Sequence, residues 1–149
     1  MQPRHRAEVA IAAALALAAC QSGGGEPGVP GDSADKQPFG AIGRNEIVKF
    51  TGTEPFWGGE VKGTALTYTT PEDMEGETIT VERFAGRGGL SFSGMLGGEP
   101  FDMMVTQAEC SDGMSDRTYP FTVTLEVAGG NRQGCAWSEA SPYTGPESP

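Results

Sequence analysis

Two polar stretches hold most of the residues in this chain that could do chemistry. One is Cys110-Ser111-Asp112-Gly113-Met114-Ser115-Asp116-Arg117-Thr118-Tyr119-Pro120, and the other is Gly52-Thr53-Glu54-Pro55-Phe56-Trp57-Gly58. The three charges between Asp112 and Arg117 raise the thought of a calcium site, but the loop lacks the oxygen at every second position and the closing glutamate of an EF-hand. The residue types suit turn chemistry better: Asp112 and Asp116 can accept from nearby backbone N–H groups, and Arg117, one of few cations, can hold a fixed ion pair. Asp112, Asp116 and Glu54 are candidate partners for Arg117, and a pair with Glu54 would tie the two stretches together. Phe56 and Trp57 follow the rigid Pro55 and have two possible uses. They could anchor a recognition edge, as large aromatics do at interfaces, or plug one end of a barrel. Met95, Met103 and Met104 offer thioethers to a soft metal, yet they fall in strand-like runs where core packing is the expected use of at least Met103. The acidic run Glu72, Asp73, Glu75 and Glu77 reads as a solvated turn.

The first twenty residues read as an address. Arg4, His5 and Arg6 make a basic start, and Val9 to Ala19 is an unbroken apolar run of eleven residues, too short to span a bilayer and without the polar face of a buried amphipathic helix. The run ends in Leu17-Ala18-Ala19-Cys20, which resembles a bacterial lipobox. That resemblance implies cleavage of residues 1–19 as a lipoprotein signal peptide, a diacylglycerol (palmitate-type) anchor on Cys20, and acylation of the new amine. Two or more acyl chains make a lasting anchor where one is marginal. The protein is then tethered in the bacterial cell envelope on the periplasmic face of a membrane; Gln21, in place of Asp, points to the outer membrane.

Export settles the other cysteines. With Cys20 lipidated and the compartment oxidising, Cys110 and Cys135 are read as one disulfide, closing a 25-residue loop worth about 3.5 kcal/mol on the chain-entropy account. The only histidine leaves with the leader, and neither Ser-x-x-Lys nor Gly-x-Ser-x-Gly occurs. A carboxylate pair acting alone would need a cleft for which a small domain has little room. The expectation is a protein that is not an enzyme and uses no cofactor or metal.

Loss of Arg4, Arg6 and Glu8 takes the net charge from −10 to −11. Such a chain is repelled by nucleic acid and by anionic membrane surfaces, so membrane contact should come through the lipid alone, and the charge favours a basic protein as partner.

These residues must be positioned by a small domain. Residues 20–38, the lipidated cysteine and the segment after it, are Gly, Pro, Ser, Asp and Glu with almost nothing to bury, a linker whose first sixteen positions after Cys20 reach roughly 22 Å. Residues 138–149 read as a disordered tail, leaving 39–137 as one domain. Glycines recur every few residues and no stretch has a helical period. Phe121 to Val127 alternates apolar and polar, as do Thr78 to Glu82 and Leu90 to Ser93. Further strands are expected over Glu46–Phe50, Gly59–Lys62, Leu66–Thr69, Phe101–Thr106 and Arg132–Trp137. Gly97-Gly98 and Gly129-Gly130-Asn131 supply hairpin turns. The fold class is therefore all-β: an antiparallel meander of about eight short strands closing into a small barrel, which also removes exposed edges.

The sequences from Gly52 to Trp57, Leu66 to Pro71, Cys110 to Pro120 and Gly134 to Ala136 together resemble a family of bacterial cell-envelope lipoproteins that carries no assigned activity. The resemblance spans nearly the whole domain and implies location and architecture, with no inherited catalytic or binding residue. Members occur beside small envelope β-domains similar to membrane-bound inhibitors of C-type lysozyme, whose own signature is not evident here. The expected function is a non-catalytic binding module for a protein or glycan partner, using Glu54, Phe56 and Trp57 or Asp112, Asp116, Arg117 and Tyr119, with lysozyme inhibition one sharp version. A calycin-like carrier of a small apolar ligand and a structural or stress-related envelope component are the alternatives.

Overall fold

The computed structural model describes residues 37–146. The expected leader, Cys20 and nearly all of the linker lie outside the described residues, as do positions 147–149. Eight strands follow in chain order: β1 Ile47–Thr53, β2 Phe56–Lys62, β3 Ala65–Thr70, β4 Asp73–Ala85, β5 Gly89–Leu96, β6 Glu99–Cys110, β7 Tyr119–Val127 and β8 Gly130–Ser138. Each pairs antiparallel with its sequence neighbour, and β1 pairs with β8 to close the barrel. The expected fold class is the one observed.

The alternation read from Phe121 to Val127 is the alternation in space: Phe121, Val123, Leu125 and Val127 are buried while Thr124 and Glu126 face water. The same period in the other strands sends Val48, Phe50, Val61, Leu66, Leu90, Phe92, Phe101, Met103 and Val105 inward, all almost fully buried. Full burial of each such side chain contributes about 1.5–3 kcal/mol against leaving it in water. Phe39 and Ile42 cover one end of this core. Phe39 meets Phe121 edge-on with ring centroids 6.3 Å apart, and its N–H donates to the Gly86 carbonyl at 2.7 Å. Arg83 donates to the Ile42 carbonyl at 3.0 Å, fixing the same cover. Towards the other end a ladder of rings runs from Phe50 to Trp57, Tyr68 and Phe101. The Tyr68 hydroxyl there accepts from Arg132 at 2.7 Å.

Two expectations need correcting. Residues 139–146 are not a frayed tail: Thr144 exchanges backbone hydrogen bonds with Thr118 at 2.9 and 3.0 Å, and Tyr143 packs against Tyr119 and Trp137. The proline-rich composition concealed one aromatic with two ring partners. The β7–β8 turn is also displaced by one residue, because Val127 pairs with Gly130 and so Ala128 and Gly129 form the two-residue loop. Ala128 therefore takes φ 50°, a left-handed conformation usually given to glycine or asparagine.

Candidate functional site

Cys110 and Cys135 are bonded, with Cα atoms 5.6 Å apart. Cys135 stands opposite Thr51 on β1 and Thr122 on β7, outside the barrel wall, so the disulfide clamps the start of the long loop onto the outer face of β8. Within the loop Asp112 is the organising residue. Its Oδ1 accepts from the Met114 and Ser115 N–H groups at 3.0 and 2.8 Å, and its Oδ2 accepts from the Ser115 hydroxyl at 2.6 Å and the Tyr119 hydroxyl at 3.1 Å. Burial alone would raise the pKa of this carboxyl. The hydrogen bonds from Ser115, Met114 and Tyr119 outweigh it and lower the pKa to about 2.

Asp116 is exposed, and its side chain makes no hydrogen bond among the described residues, so the turn-capping role expected of both aspartates belongs to Asp112 alone. Arg117 stands with its guanidinium 4.6 Å from the centre of the Tyr143 ring and donates Nε–H to the Pro146 carbonyl at 2.8 Å. Its partner is thus the C-terminal segment, and the expected pair with Glu54 is not formed. The two stretches are tied together all the same, by the Thr53 hydroxyl donating to the Asp112 carbonyl at 3.0 Å.

Trp57 and Phe56 part company. Successive residues of β2 face opposite sides, so Trp57 is buried, 4 % exposed, while Phe56 is 52 % exposed. Phe56 rims a shallow groove of about 300 Å³ with Pro71 and the exposed Met74, and Glu54 sits exposed in the turn before it. The indole lies against Gly52 and Gly134, and a Cβ added at either glycine would collide with the ring. Its Nε1 is buried and makes no hydrogen bond. The β1–β8 ladder runs only from Val48–Ser138 to Thr51–Cys135, so the two strands stop pairing where the indole edge stands between them.

The same two glycines line a groove of about 390 Å³ on the outer surface. Thr53 borders it from β1, Thr122 and Thr124 from β7, Gln133 from β8, and Cys110, Ser111 and Asp112 from the loop. Its side-chain polar groups are hydroxyls, one amide and a carboxylate already engaged by its own loop. Arginine and lysine are absent from its lining, and among the described residues no group of three or more His, Cys, Asp or Glu could hold a metal ion. Met103 is in the core, whereas Met95 and Met104 are exposed, so the thioethers are not gathered.

The structure therefore brings Trp57, Asp112 and the disulfide to one place, sets Tyr119 beneath them, and leaves Glu54, Phe56 and Asp116 outside. Sequence reasoning did not single out Gly52, Thr53, Gln133 or Gly134 as groove residues. The usable signal was the lone glycine inside a strand-like run at 52 and again at 134, which marks close approach of another group. Comparison with protein-family models, with curated proteins and with solved structures found no match.

Proposed function

We propose that this protein is a non-catalytic binding module, held at the periplasmic face of a bacterial envelope membrane by lipid on Cys20, which takes a glycan or protein partner in the groove between Thr53, Asp112 and Gln133. The observation that carries this reading is the groove itself, about 390 Å³ lined by hydroxyls, one amide and backbone, with the indole of Trp57 packed on the inner side of Gly52 and Gly134. The uncharged hydroxyl and amide lining suits a neutral hydrogen-bonding ligand, such as a sugar residue bearing an acetamido carbonyl. The barrel interior is filled by the protein's own Phe, Leu, Val and Met side chains, which favours an outer site over a carrier's internal cavity.

The test is a titration of the purified chain with N-acetylglucosamine trimer, followed by the indole N–H resonances of the two tryptophans and the Gln133 side-chain amide. Movement of the Trp57 and Gln133 signals, lost in Gln133→Ala, is the expected result. A trimer that moves neither removes the sugar ligand, and photocrosslinking from position 133 in intact envelopes that captures no protein then removes the groove as a site.

A further inference from the structure

The outer wall of the barrel is unevenly dressed. Over β8 and β1 it carries the loop through Cys135 and Thr53, and the C-terminal segment through Trp137. The C-terminal segment and the loop reach only the Cys110 end of β6 and the first half of β7; from Glu82 on β4 across β5 to Asp102–Met104 on β6 and Glu126 on β7, the strand registers line up two rows of outward side chains. One row crosses the sheet as Phe84, Ser91, Met104 and Thr124, each opposite the next. Phe84 is 68 % exposed and Met104 is 54 % exposed. Two strand spacings separate them, roughly 10 Å, with only the small Ser91 between, so both present apolar surface on one outer face. The adjacent row is Glu82, Ser93, Asp102 and Glu126.

Asp102 and Glu126 are directly opposite one another across the β6–β7 ladder, and both are exposed. Like charges in that relation repel and destabilise the sheet. The outward positions of β5, β6 and β7 hold neither Lys nor Arg to offset them. The fold thus keeps an unfavourable pair beside two exposed large apolar side chains, on a chain whose net charge is −10.

We infer that the outer face of β4 to β7 docks a basic amphipathic segment of another protein, with its apolar side chains on Phe84 and Met104 and its Lys or Arg groups on Asp102, Glu126 and Glu82. The cations relieve a repulsion already present in the free protein, so charge complementarity favours the cationic partner over a second copy of this acidic chain and over an anionic lipid surface. This surface borders the groove at Gln133 through Thr124, but Phe84, Met104, Asp102 and Glu126 lie outside that groove's lining.

The experiment titrates a short amphipathic Lys/Leu peptide into the isotope-labelled full chain, maps the perturbed amides, and compares affinities of variants at low and high salt. Perturbations should fall on Glu82 to Phe84 of β4 and on the outward positions of β5 to β7 opposite them, and Met104→Ser and Asp102→Asn should each weaken the peptide about tenfold, with affinity falling as salt rises. Glu60→Gln, on the opposite wall facing Lys49, should leave affinity unchanged. Asp102→Asn should melt at or above the wild-type temperature, since it removes one member of a repelling pair. Perturbations centred on the acidic stretch Glu72 to Glu77 at the start of β4, away from Glu82 and Phe84, undiminished affinity in both variants, or a salt-insensitive dimer of the chain that Met104→Ser dissolves would each overturn the assignment. None of these outcomes depends on whether the sugar trimer binds.

Discussion

Substitution of Asp112 by Asn changes charge while keeping size, and it isolates what the ionised carboxylate contributes. Both oxygens are fully used, by two backbone N–H groups and two hydroxyls. An amide could keep the backbone acceptor at Oδ1 and turn both hydroxyls round to accept from its NH2. The loss is then mainly that of charge-assisted hydrogen bonding. The pKa falls from an ordinary 3.8 to about 2 on folding, and with solvent screening of this partly exposed carboxylate the shift corresponds to about 1 kcal/mol of stability. Because the folded value is the lower one, this contribution is fully present above about pH 4 and is lost as the pH falls through about 2. Thermal melts of wild type and Asp112→Asn from neutral pH downwards should show a gap of roughly 5 °C at pH 7, given about 4–8 °C per kcal/mol in a domain of this size. The gap should narrow between about pH 4 and 2. A gap that is the same at about pH 2.5 as at neutrality would mean that shape and not charge holds the loop, and would refute the reasoning.

Arg117→Ala removes the cation over Tyr143 and the donor to Pro146, and should cost about 1–2 kcal/mol by melting while raising hydrogen exchange at Thr118 and Thr144. Gly134→Ala drives a methyl group into the Thr51 carbonyl and the indole, and a loss of about 1–3 kcal/mol with a changed Trp57 fluorescence is expected; an unchanged melt would show that the seam can give. Ala128→Asn creates the Asn-Gly pair that the left-handed turn prefers, and denaturant unfolding should show a gain of about 0.5–1 kcal/mol. Cys20→Ser should abolish acyl labelling and membrane retention of the full-length precursor, whereas unaltered fractionation would remove the anchor from the account.

Much of the architecture was legible because β-strand burial has a period of two. Phe121 to Val127 could be assigned a wet and a dry face from letters alone, and the glycine pair at 97 and 98 marked its turn correctly. The site was harder. Alternation predicts which side of a strand a residue faces, but it cannot say which of Phe56 and Trp57 goes inside until register is known, and Trp57 was settled by the space that Gly52 and Gly134 leave. Arg117 was set against Glu54 for a related reason. Its guanidinium stands instead over an aromatic face and donates to a carbonyl in a segment whose composition gave no sign of order. Likewise the two rows on the outer wall emerge only from cross-strand register, since Phe84, Met104, Asp102 and Glu126 are scattered in sequence.

The pairing of β1 with β8 makes the barrel a ring, and in a ring the place where the chain begins is arbitrary. Val48 lies beside Ser138, so the first strand starts next to where the last one ends, and a short connector could join them. New ends could then be cut at Gly97-Gly98, a turn with open space around it that touches neither the groove nor the loop clamped by Cys110 and Cys135. Such a rearranged chain keeps every strand neighbour it had, and the lipid tether proposed on Cys20 could be moved to the opposite rim of the barrel. The molecule would then hang from the membrane upside down, which offers a direct way to ask which of its surfaces must face the partner.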